Sequence, residues 1–128
     1  MSIDYIIDDV SKSSYVRLTC RGTYTQESLL RTLDDACILT LNKGHRSVLI
    51  DVRAVKGTPP DIYERFIIGV ETVRIQRKNK TIVTIVIVGN EPMIDPKRFG
   101  ETVALNRGGI GKVFTNIGEA ESWLFNNG

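Results

Sequence analysis

The sequence predicts an α/β protein: one domain of 128 residues built on a single mixed, mostly parallel five-stranded sheet that starts with an antiparallel hairpin and carries about four helices. Three observations lead there. Short apolar runs rich in branched residues alternate with stretches of helical period, the signature of strand–helix units on a parallel sheet. The run "TIVTIVIVG" at 81–89 is apolar on both faces, as a central parallel strand should be. The first two strand-like stretches are joined by the turn-forming "DVSKSS", which suggests a hairpin.

Each element has its own justification. "DYIID" (4–8) and "YVRLTCRG" (15–22) are the hairpin strands. From "TYTQESLL" the period changes, and Leu29, Leu33, Ala36 and Thr40, with Leu30, Cys37 and Leu41 beside them, form one broad helical face. Thr25 with Ser28 signals an N-cap, and "NKG" (42–44) supplies the stop. "RSVLIDVR" (46–53) is a strand, "AVKGTPP" (54–60) a loop, and a second helix runs from about Asp61 to Gln76. In that helix Ile62, Phe66, Val70 and Val73, widened by Tyr63 and Ile67, are expected to cover the sheet, which leaves Ile68 and Ile75 on another side between Glu64 and Glu71. A third helix or helical loop spans roughly 92–106, interrupted near Pro96. "KVFT" (112–115) is the last strand, and Asn116 caps a helix whose Ile117, Ala120, Trp123 and Leu124 fold back over the sheet. Phe114 and Trp123 are therefore expected in the core, without a ligand role.

Composition narrows the function classes. A formal charge of +2 gives no basis for nucleic-acid binding. No apolar run is long enough to span a bilayer, and the acidic start "MSIDYIIDDV" is unlike a signal peptide, so a cytoplasmic protein is expected. Cys20 and Cys37 lack metal-like spacing and are read as buried, reduced thiols. His45 is the only histidine, which removes a multi-histidine metal site; no catalytic residue, metal ligand or cofactor is expected.

The order of elements, with "LTCRGTYTQESLLRTL", "SVLIDVR", "IVIVGN" and "KVFTNIGEAESWL", resembles the SpoIIAA-like branch of the STAS superfamily over almost the whole chain. The resemblance implies a small, non-enzymatic regulatory or binding module; some relatives are likened in fold to lipid-binding Sec14-type domains. In antagonist-type STAS proteins an Asp-Ser pair opens the second helix and its serine is phosphorylated. Here that place reads "AVKGTPPD", with Pro59 and Pro60, so the resemblance implies that the usual phospho-switch is absent. Thr58 is the nearest hydroxyl, and "TPPD" fits a helix start with Thr58 as cap, Pro59 as first helical residue and Asp61 as reciprocal partner.

Two candidate sites follow. The exposed side of the second helix, Ile68 and Ile75 with the cations Arg74, Arg77 and Lys78 of "RIQRKNK", is a candidate contact for a protein partner, a second copy of this chain, or a small hydrophobic or lipid-like ligand between helix and sheet. The same cations also suit a helix end, where they complement the dipole, and a membrane-surface patch is the lesser reading. The second candidate is the edge where parallel strands end, with Asp51, Arg53, Gly57, Thr58 and Asn90. No P-loop or dinucleotide glycine pattern stands there.

Overall fold

The computed structural model describes residues 2–8, 14–78 and 81–127. Residues 9–13 of the hairpin turn, and Lys80 of the basic run, lie outside them. The elements are β1 (Ile3–Asp8), β2 (Val16–Thr23), α1 (Gln26–Asn42), β3 (Ser47–Lys56), α2 (Ile62–Arg77), β4 (Thr84–Val88), α3 (Phe99–Asn106), β5 (Gly111–Phe114) and α4 (Ile117–Asn127). They form a five-stranded sheet in the order β1-β2-β3-β4-β5, with β1 antiparallel to β2 and every later pair parallel. No described helix is long and apolar enough to cross a membrane.

Because the parallel strands advance in one direction and such crossovers are right-handed, α1, α2 and α3 belong on one face of the sheet. Their face carries the larger core, with Leu18, Leu33, Val48, Ile50 and Ile85 among its buried residues. Among the described helices α4 alone covers the other face, where Ala120 and Leu124 close over Leu49, Val86, Val88 and Phe114. Alternation along β3 and β4 thus sends successive residues into different cores. Trp123 is half-buried, with its ring 6.2 Å from that of Phe114.

Two of the three helix starts expected from capping residues form as read: the Ser28 N–H donates to Thr25 Oγ1 at 3.1 Å, and the Glu119 N–H donates to Asn116 Oδ1 at 2.9 Å. Gly44, at φ 78°, ends α1 as the "NKG" stop requires. Cys20 and Cys37 are buried and free.

Three expectations need correction. First, β3 continues through Ala54, Val55 and Lys56, which pair with Arg21, Gly22 and Thr23; the loop is shorter than "AVKGTPP". An extra β3 residue between the Thr19–Asp51 and Arg21–Ala54 pairs makes a bulge, which restores the inward direction at Val55 and hides the strand's alternation. Second, Thr58 does not cap α2. Asp61 does: it accepts the Glu64 N–H at 2.8 Å while Glu64 accepts the Asp61 N–H at 3.1 Å. A helix starting at Pro59 is disfavoured because a residue preceding a proline is pushed out of the helical region.

Third, α2 faces the sheet with a different side. Ile75 is 3% exposed and Ile68 packs on the larger core, whereas Ile62 and Tyr63 are 71% and 70% exposed. The inward stripe reads Ile68, Thr72, Ile75, Gln76, and its two polar members disguised it. Thr72 returns its hydroxyl to the Ile68 carbonyl at 2.6 Å, and the Gln76 amide donates to the carbonyls of Val83 and Ile110 at 2.7 and 2.8 Å. Phe66, Gly69 and Val73 turn instead toward α3 and the segment after it. The Arg107 guanidinium lies over the Phe66 ring at 5.2 Å, and a Cβ on Gly69 would come within 2.7 Å of the Gly100 carbonyl oxygen.

Candidate functional site

The approach of α3 to α2 at Gly69 leaves space elsewhere beneath the two helices. A largely apolar cavity of about 150 Å³ lies between α2, α3 and the strands β3 to β5. Ile87, on the inner strand β4, and its neighbour Val113 on the edge strand β5 are only partly buried; both line the cavity. Ile68 from α2 also lines it. Leu105 and Ile110, about half exposed, also belong to its wall, so the space reaches the surface.

The polar groups around the cavity are mostly engaged. Arg65 donates to the carbonyls of Met93 and Pro92 at 3.2 and 3.0 Å, and Glu101 accepts the Val113 N–H at 3.2 Å. Asp95 accepts the N–H groups of Phe99 and Lys97 at 3.0 and 3.1 Å; the Phe99 bond above all holds its carboxyl below the usual range. Tyr24 donates its hydroxyl to Glu64 at 3.2 Å, and burial, reinforced by that carboxylate, pushes the phenol upward.

At the strand-end edge, Arg53, Gly57 and Asn90 gather around an open hollow with Pro59 and Glu91, while Asp51 and Thr58 are not in its wall. Asp51 is 4% exposed and points into the sheet face opposite α1 and α2. Its carboxylate takes the Arg53 guanidinium in a two-pronged pair, at 2.9 Å from Nε and 2.8 Å from Nη2, and also the Arg53 N–H at 3.0 Å. Burial raises this acid, but the Arg53 bonds outweigh it and leave its carboxyl below the usual range. Thr58 is exposed and Gly57 turns the chain at φ 109°. The Asp51–Arg53 pair lies within β3; among the described residues no group of three or more potential metal ligands forms.

The cations of α2 are dispersed. Arg74 pairs with Glu71, Lys78 reaches both oxygens of Asp34 at 3.0 Å, and Arg77 donates to the Arg107 carbonyl at 3.5 Å. The expected site is thereby divided: Ile68 belongs to the cavity, Ile75 to the core, and Arg74, Arg77 and Lys78 to the exposed surface. Sequence reasoning missed Ile87, Val113 and Arg98 as cavity residues. One signal was available: Gly69 inside a helix costs about 1 kcal/mol against alanine and marks a close helix approach.

An anti-sigma factor antagonist from Mycobacterium paratuberculosis superposes on this chain with a TM-score of 0.56, covering 94% of it and 92% of that protein at 14% identity. The fold is SpoIIAA-like. An uncharacterized protein from Shewanella loihica PV-4, with the same SpoIIAA-like fold, gives a TM-score of 0.51 at 18% identity, covering 96% of this chain and 93% of its own. No family model matches the sequence, and no curated protein matches it significantly. The SpoIIAA-like fold accounts for the single mixed sheet, the opening hairpin and the four helices.

Proposed function

We propose that this chain is a STAS-like regulatory module that acts by binding and carries out no covalent chemistry, with the first turn of α2 as its contact for a protein partner. The observation that carries this is the pair Ile62 and Tyr63, adjacent and 71% and 70% exposed, just after the capping box and beside the exposed Thr58. The capped helix fixes the backbone that carries these two large side chains, so only their rotamers are ordered on contact, and tyrosine is among the residues that most often dominate interfaces. The shared fold of an anti-sigma factor antagonist, which by its name acts against another protein, supports a protein partner here too. Arg74 and Lys78, tied to Glu71 and Asp34, make the carboxyl half of α2 the poorer surface.

In this reading the contact is not switched by phosphate at the start of α2. Pro59 and Pro60 occupy the loop, and the Asp61 carboxylate already holds the N-terminus of the helix. The test is a photo-crosslinker placed at residue 63, 74 or 112 in cells of the source organism, with phosphate mapping of the recovered protein. A partner trapped from residue 63 alone is expected, without stoichiometric phosphate on Thr58. Trapping from residue 74 alone would move the contact, and phosphate on Thr58 would restore a switch.

A second reading, a sensor or carrier of a small hydrophobic ligand, is favoured by the apolar cavity under α2 and α3. Native mass spectrometry tests it, because a retained molecule appears as a fixed mass increment.

A further inference from the structure

The cavity's polar groups are not equivalent. Glu101, Asp95, Arg65 and Gln76 are all spent on backbone partners. Arg98 is the exception: it lines the cavity, and its Nη1 is buried with no hydrogen-bond partner. A guanidinium can only donate, and leaving such a nitrogen buried without an acceptor is costly. The same residue has φ 54° and ψ 40°, the left-handed region that side chains disfavour, and it stands at the N-cap of α3 without a side-chain cap bond. Two unfavourable features thus coincide at one residue on a cavity wall, and backbone strain of this kind collects at ligand clamps.

We infer that the cavity binds a small amphipathic acid, its apolar body over Ile87 and Val113 and its anionic group on Arg98. This rests on the ligand reading above and adds the chemical class. Both neighbouring acids are already turned to backbone N–H groups, and Lys112, the other wall cation without a hydrogen bond to a backbone group, is exposed with its ammonium over the Phe114 ring, which leaves the buried Arg98 nitrogen as the unmet donor. A space of about 150 Å³ suits a body of about six carbons, since a cavity of that size accepts benzene. The carboxylate supplies the acceptor that Nη1 lacks.

The test uses the full chain with hexanoate, hexan-1-ol and hexylamine as probes, followed by calorimetric titration and by methyl shifts of Ile87 and Val113. The variants are Arg98→Gly, which removes the guanidinium at a backbone conformation glycine accepts, and Arg98→Lys, which keeps the charge. Hexanoate is expected to bind at least about tenfold more tightly than the alcohol or the amine. Arg98→Gly should abolish that preference with hexan-1-ol binding unchanged, while Arg98→Lys keeps part of it. Equal binding of hexanoate and hexan-1-ol, or a preference that survives Arg98→Gly, would overturn the role of Arg98 and leave the ligand reading standing. Failure of every probe to bind would overturn both.

Discussion

Gln76 gives the sharpest test of how α2 sits on the sheet. It is 2% exposed, and its amide spans the entrances of two strands, donating to the Val83 carbonyl at 2.7 Å and the Ile110 carbonyl at 2.8 Å. Its oxygen accepts the Ile110 N–H at 3.4 Å. In Gln76→Leu the volume is nearly kept and the bonds are lost. Val83 is 1% exposed, so its carbonyl would meet the full cost of an unmet buried acceptor, about 1–3 kcal/mol; the Ile110 carbonyl keeps the Ile85 N–H at 3.2 Å. The expected loss is about 1–3 kcal/mol, read from the urea midpoint at constant slope. Gln76→Glu places an acceptor against two acceptors. Its carboxyl pKa is raised in the folded state, so this variant should gain stability as the pH falls from 7 toward 5, the reverse of an ordinary paired acid. A change below about 0.5 kcal/mol in Gln76→Leu, within the range of a neutral surface substitution, would refute this packing of α2.

Asp61→Ala should cost about 1 kcal/mol in denaturant titration while Thr58→Ala stays within about 0.5 kcal/mol, and the reverse order would return the cap to Thr58. Asp51 has a folded pKa below its unfolded one, so its contribution is present above roughly pH 4 and fades as the pH drops through the folded value. Urea midpoints between pH 7 and 3 should therefore fall more steeply for the wild type than for Asp51→Asn; parallel curves would contradict the pairing with Arg53. Burial pushes the thiols of Cys20 and Cys37 up to about 12 and about 11. Both should resist a thiol reagent at pH 8 until urea unfolds the chain, and prompt reaction of the native protein would show an open core.

Legibility of the sequence followed the physics of each element. α1 and α4 could be read because each has a hydroxyl or amide cap and one continuous apolar side. β4 could be read because a strand covered on both faces needs no polar residue. α2 could not. It meets the sheet, α1 and α3 together, so apolar residues surround it and the polar Thr72 and Gln76 mark the side that is buried deepest. The cavity was illegible for a related reason: it is the space left between side chains once Gly69 fixes the distance of α3, and no local pattern encodes what is missing.

The order β1-β2-β3-β4-β5 bears on how the chain leaves the ribosome. Every strand is bonded only to its neighbours in sequence, so each new βα unit can dock on the sheet already made, and α1, α2 and α3 cover their face as they emerge. The opposite face has no such provision. Leu49, Val86, Val88 and Phe114 wait for Ala120 and Leu124, and a nascent chain stalled before residue 117 would present them as a bare apolar strip. Synthesis of α4 therefore ends a period of vulnerability to wrong association, and slow codons placed just upstream of it would lengthen that period.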